Sequence, residues 1–222
     1  AGALAVAALL LILPLWLANT PAMPDYPARL AGFYLIGGGR SSFYTVHWSA
    51  IPNLASELIV PALARAMPLD VAARLFLSVA VAMWVAGPAL IQRSLYGRIG
   101  PMALLAAFFA YNVNFMWGFF NFYFAAGLAF LIFAAWIATT QRQSAGRIAA
   151  FTLAVTFVYF CHIFAVAVLG IMIGGFEFAR LLAQPPVTAK PLLRRAAEIA
   201  VLFVPSALAF LFLKSGSYAE DH

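Results

Sequence analysis

Only seven acidic residues occur among 222, and Asp25 stands out in the stretch Pro24-Asp25-Tyr26-Pro27-Ala28-Arg29-Leu30. A carboxylate there could accept a hydroxyl proton or help hold a divalent ion. It could equally cap a helix expected over 27–33, since Pro27 biases Tyr26 towards extended geometry and aspartate often bonds nearby amides. Arg29 and Arg40 suit phosphate, whose oxygens a guanidinium meets two at a time, and they equally suit snorkelling to headgroups. His47 lies beside Trp48 in a run of alternating aromatic and polar residues, which fits hydrogen-bonded scaffolding or a catalyst. His162 interrupts an otherwise uncharged stretch and could donate to a phosphate or orient Asp25. Haem or chlorophyll ligation is open to it too, although no paired-histidine spacing is present. Gly37-Gly38-Gly39-Arg40-Ser41-Ser42 could form an anion-binding nest or a lid, but it lacks the P-loop pattern and reads as a plain loop. Cys161 is alone, which excludes an internal disulfide and a cysteine metal pair. It reads as a small buried apolar residue.

The elements that position these residues follow from composition. The chain is 65% hydrophobic and 9% charged, with mean hydropathy +0.97, outside the soluble range where charge reaches about 25%. Between Arg98 and Arg142 lie 43 residues without a charged side chain. About 20 helical residues cross a bilayer core, and backbone amides must be satisfied inside it. No alternating pattern supports a barrel, so the expected class is an all-α polytopic membrane protein. The net charge of +6 is spread over short loops. It reads as a topology signal and not as a nucleic-acid surface.

A single membrane domain, 1–222, is expected. Residues 1–18 form the first span; they resemble the apolar part of a signal peptide but lack a convincing cleavage site, so the span reads as retained. Residues 19–70 form a long outer loop, broken by prolines and the triple glycine. An amphipathic interfacial helix over 53–67 is expected within it, capped by Asn53 and kinked at Pro61. Residues 71–213 form a helical bundle, opening with a span over 71–92 capped by Asp70. The stretch 99–141 would reach about 64 Å as one helix, so it should divide at Tyr111-Asn112-Val113-Asn114. The stretch 148–180 should divide near Cys161-His162, and a last span covers 196–213. Gly118 and Gly127, or Gly170, Gly174 and Gly175, permit close helix approach, and Gly170 and Gly174 match the small-xxx-small pattern. Basic loops at 93–98, 142–147 and 180–195 then share the cytoplasmic side, which gives seven spans, an inside N-terminus and an outer tail at 214–222. The expected location is a bacterial inner membrane.

This threading gathers Asp25, Arg29, Arg40, His47, Asn53, Glu57, Asn112, Asn114, Asn121 and His162 on the outer side. Polar groups that converge at one leaflet suggest a site there. The dense aromatics Phe115, Trp117, Phe119, Phe120, Phe122, Tyr123 and Phe124 suit either lipid packing or a groove for a polyprenyl tail.

With the Asp25 stretch, Pro52-Asn53-Leu54-Ala55, Trp117-Gly118-Phe119-Phe120-Asn121 and Tyr159-Phe160-Cys161-His162 resemble patches in uncharacterised bacterial membrane proteins of the GT-C glycosyltransferase type. The layout resembles the amino-terminal helical module of that class at about half its usual length. The resemblance implies transfer of a sugar from a polyprenyl phosphate donor, with inversion, by an intact enzyme or a truncated relative. Asp25 would be the catalytic base or a ligand to a divalent metal. Arg29, Arg40, His47, His162, Asn112 and Asn114 are the expected substrate-binding residues. The alternatives are a non-catalytic accessory subunit of a larger membrane complex, or a transporter fragment. The latter would want mid-span ionisable groups or an inverted repeat. Membrane lipids are expected partners; nucleic acid is not.

Overall fold

A computed structural model describes residues 2–142, 144–183 and 189–216. Its helices are α1 (Gly2–Leu17), α2 (Tyr26–Ile36), α3 (Ala55–Leu63), α4 (Leu69–Tyr96), α5 (Pro101–Ala107), α6 (Val113–Trp117), α7 (Phe120–Ala138), α8 (Ala145–Cys161), α9 (Ile163–Leu182) and α10 (Ala189–Gly216). A 3-10 turn over Phe108–Tyr111 links α5 to α6, and no strand occurs among the described residues. Among the described residues four helices are long and apolar enough to cross a bilayer: Leu69–Tyr96, Phe120–Ala138, Ile163–Leu182 and Leu192–Leu213. Shorter apolar helices cover Gly2–Leu17, Pro101–Trp117 and Ala145–Cys161. This is a helical membrane protein.

The helix breaks have local causes. Asn112 takes extended backbone, and its side chain accepts from the amides of Asn114 and Phe115, which starts α6. Gly118 then ends α6 with φ +88°, where a side chain would be strained. Ser144 caps α8 through the Arg147 amide. His162 is extended and accepts from the Phe164 amide, so it closes α8 and opens α9.

The core seam joins α4 and α7. Trp84 stacks on Tyr123 at 4.9 Å between ring centres and donates its indole N–H to the Tyr123 carbonyl. Gly87 faces Phe130 and Gly127 faces Met83, so close that an added Cβ would lie 2.5 Å and 2.9 Å from those residues' Cβ atoms. These glycines set the approach of the two helices. Gly170 touches only the Phe203 ring edge and Gly174 nothing within 4 Å, so the small-xxx-small match lies outside the seam. Of the most apolar 18-residue stretch, 67% is buried in α7 but only 22% in α9 and 11% in α10.

Side-chain pairings give the helix directions. Phe76 meets Phe120 and Phe124 while Gly87 meets Phe130, so α4 and α7 run parallel. His162 meets Phe122 while Phe176 meets Phe133, so α9 runs with them. Arg147 and Phe151 both pack on Trp136, which makes α8 antiparallel to them. The ends carrying Arg93, Arg142 and Arg180 therefore share one side of the bundle, opposite Asp25, Asn53, Asn112 and His162.

Two expected caps differ. Helix α4 begins after Pro68, and Asp70 sits within its first turn. The Asp70 carboxylate is held by Arg74 at 2.6 Å and by the Tyr26 hydroxyl at 2.7 Å, so it is not available to the backbone. Arg74 also donates to the carbonyls of Leu15, Ala18 and Asn19, satisfying the end of α1. The expected helix over 53–67 shortens to Ala55–Leu63. Leu54 holds its cap position without a side-chain bond, and Asn53 turns away with φ 103°.

Candidate functional site

Helix α2 carries Asp25 at its N-cap position and Arg29 one turn later. Asp25 has helical backbone angles and makes no capping bond, so the turn leaves its half-buried carboxylate unused. Its main chain is fixed on both sides: its amide donates to the Trp117 carbonyl, and its carbonyl accepts from the Arg29 amide. Gly118 packs against it, since an added Cβ there would lie 3.1 Å from the Asp25 Cβ. Glycine at 118 thus serves both a left-handed turn and this contact.

Beneath α2, Asn121 and Glu57 tie three elements together. Asn121 is buried on α7; its Oδ1 accepts from the Ser56 amide at 2.6 Å, and its Nδ2 donates to the Asn53 carbonyl and to Glu57 Oε2. The same carboxylate oxygen accepts from Ser56 Oγ, and Glu57 Oε1 accepts from Arg29 Nη1 at 3.0 Å. The amides of Asn53 and Leu54 both donate to the Phe160 carbonyl, which docks this loop against the end of α8. A buried polar network with its partners in place gives a rigid floor.

Above that floor opens a cavity of about 630 Å³. Its polar end is formed by Arg29, Asn53, Asn114, Asn121 and His162. Its apolar wall is formed by Phe119 and Phe122 with Phe164, Ala167, Val168 and Ile171. The last four recur at the spacing of one helical face, so the wall descends α9 for about 10 Å. The cavity is thus polar at the helix ends and apolar along the span.

His162 sits at the junction. Its Nδ1 accepts from the Phe164 amide, leaving Nε2 to carry the proton of the neutral ring. Burial, then the nearby positive charge of Arg29, lower its pKa below the ordinary imidazole value. Neutral histidine is therefore the form present at neutral pH, and it remains an N–H donor.

Of the residues expected from sequence, Arg29, Asn114 and His162 converge on the cavity. Asp25 lies just outside its wall, bonded through the main chain to Arg29 and packed on the glycine before Phe119. Asn112 is occupied in capping α6. Arg40 and His47 are not brought to the cavity; both lie exposed on the loop after α2, where His47 Nε2 pairs with Thr45 Oγ1 at 2.9 Å. The tail 217–222 lies outside the described residues. Among the described residues no group of three or more histidine, cysteine or acidic side chains is placed to hold a metal. Among the described residues Asp25 has no second acid grouped with it, and Glu57 is committed to Arg29, so these residues do not fit a divalent ion. The α9 stripe went unrecognised as part of a site in the sequence, and Asn121 and Glu57, expected among the converging outer groups, were not foreseen as a bonded hub. The stripe's signal was its periodicity; the hub's was two polar residues, in the outer segment and at the outer end of α7.

Comparison of the chain with protein-family models, curated proteins and solved structures finds no match.

Proposed function

We propose that this chain is a GT-C-like membrane glycosyltransferase, or a truncated relative, that takes a sugar from a polyprenyl phosphate donor at the outer face of a bacterial inner membrane. The observation that carries this reading is the cavity. It pairs a cationic, hydrogen-bonding end with an apolar track along α9, which is the chemical profile of a phosphate on a long hydrocarbon tail. Arg29, the His162 N–H and Asn114 would meet the phosphate, while Phe164, Ala167 and Ile171 would meet the first isoprenoid units.

Asp25 would act as base. An acceptor hydroxyl gives its proton to the carboxylate, and its oxygen attacks the anomeric carbon of the donor sugar. The bond from that carbon to the phosphate oxygen breaks, and polyprenyl phosphate leaves with the electron pair. Arg29 would steady the charge that develops there. Inversion is the expectation attached to the resemblance. In the membrane we propose seven crossings with a cytoplasmic N-terminus. Support comes from the shared side of Arg93, Arg142 and Arg180 and from the preference of arginine-rich loops for the cytoplasm.

The second reading, an accessory subunit, is favoured by the loop after α2, where Phe43 is 88%, Tyr44 71% and Trp48 60% exposed. Stoichiometric co-purification with a larger complex that covers those side chains would favour it.

Transfer of labelled sugar from polyprenyl phosphate in proteoliposomes tests the enzyme reading. Asp25→Asn should lose transfer while the protein stays folded and still binds donor. Full activity in that variant would remove Asp25 from the chemistry.

A further inference from the structure

At the far end of α7 and α9 from the outer cavity, a carboxylate is enclosed. Glu177 is 2% exposed, accepts from Trp136 Nε1 at 2.8 Å and Arg180 Nη1 at 2.9 Å, and forms an ion pair with Arg195 Nε at 3.2 Å. Arg147 lies over the Trp136 ring, 3.7 Å from its centre. Glu198 accepts from Arg194 at 3.0 Å and Arg195 at 2.6 Å. In this cluster of described residues four guanidinium groups face two carboxylates, a surplus of two positive charges.

The surplus surrounds a space. Thr140, Gln141, Arg180, Arg194, Arg195 and Glu198 line a cavity of about 370 Å³ whose walls are mainly polar. Glu177 has no surface there. Its effect is to fix Arg180 in place, which lowers the entropy lost when the other N–H groups of that guanidinium take a ligand. Along α9, His162 and Arg180 are separated by about 27 Å. The two ends of the helix therefore lie roughly one hydrocarbon thickness apart, with this cavity at headgroup depth.

We propose that this cavity binds a phosphate group, carried by the headgroup of an anionic phospholipid or by a soluble phosphate ester. Guanidinium pairs match phosphate oxygens, and basic pockets between spans are suited to anionic headgroups. The site is independent of the outer cavity and of any sugar transfer.

The test uses the purified full chain in nanodiscs of phosphatidylcholine, with and without phosphatidylglycerol, read by thermal unfolding and by native mass spectrometry of retained lipid. A parallel arm adds inorganic phosphate or pyrophosphate to phosphatidylcholine discs at constant ionic strength. A rise in Tm with phosphatidylglycerol alone identifies the headgroup, and a rise with free phosphate identifies the soluble ester. Arg194 is 80% exposed, so Arg194→Gln should fold normally and weaken anion binding about tenfold, roughly 1.4 kcal/mol. Glu198→Gln removes the competing carboxylate and should tighten it. Arg194→Lys should retain most of the response. No anion response in either arm, or a response that both Gln variants shift in the same direction, would overturn the proposal.

Discussion

Arg29 Nη1 donates to Glu57 Oε1 at 3.0 Å, so the guanidinium that lines the outer cavity is held by a carboxylate from the next helix. The pair is partly open to solvent, at 27% and 18% side-chain exposure, and its direct contribution to stability is small. Its greater effect is on the ligand, because Glu57 offsets the charge that a phosphate would meet. Glu57→Gln should therefore bind polyprenyl phosphate several-fold more tightly while losing about 1 kcal/mol of stability. Ligand titration alongside thermal unfolding separates the two effects.

Asn121 is the part of the floor that cannot be spared. Asn121→Leu would leave the buried Ser56 amide, the Asn53 carbonyl and Glu57 each short of a partner. A loss of about 2–4 kcal/mol is expected, with a clear fall in Tm in detergent. Asn121→Asp keeps the acceptor for Ser56 but faces Glu57 with a second carboxylate, and it should be destabilised as well.

Gly87→Ala tests the seam. The new Cβ would lie 2.5 Å from the Phe130 Cβ, and neither backbone can yield without moving a whole helix. About 1–3 kcal/mol of destabilisation is expected. Gly174→Ala, which meets nothing within 4 Å, should be near neutral. The two variants compared by thermal unfolding locate the tight contact.

His162 should give stability a pH dependence. Its folded pKa is below the ordinary imidazole value, through burial and then Arg29. The unfolded chain therefore takes up a proton first as pH falls. The native state is fully favoured above the unfolded pKa of about 6.5 and loses ground as pH drops from there through the folded value. His162→Gln should flatten the slope of Tm against pH between about 7 and 5. An unchanged slope would mean that His162 is not the group responsible.

Much of the architecture was legible because membrane helices announce themselves by composition. The breaks at 111–114 and at His162 were visible as polar residues inside long apolar runs, and both residues turn out to cap the helices that follow. The caps at Asn53 and Asp70 were misread. Each is a good cap by residue type, but tertiary partners claim them first: Arg74 and Tyr26 hold Asp70, and the Asn53 main chain is drawn to Phe160 and Asn121. Local preference is overridden where a long-range bond is available. Of the glycines expected to allow close approach, Gly127 does so at the seam, while the Gly170 and Gly174 pattern does not, for a related reason. Spacing within one helix does not reveal which face meets a neighbour, and the seam uses Gly87 and Gly127 from different helices. Among site residues, Arg29, Asn114 and His162 were reachable from topology alone. Arg40 and His47 lie on the same side of the bundle as those three, but the exposed loop after α2 keeps them apart from the cavity.

The binding of a lipid-linked phosphate in the outer cavity is tested most directly with a photoreactive polyprenyl phosphate in proteoliposomes, mapping the labelled residues by mass spectrometry. Labels should fall on 163–171 of α9, vanish when Ala167→Trp fills the track, weaken with Arg29→Gln and persist with Arg40→Gln. Labelling that lies elsewhere, or that Ala167→Trp leaves intact, would contradict the assignment of this cavity.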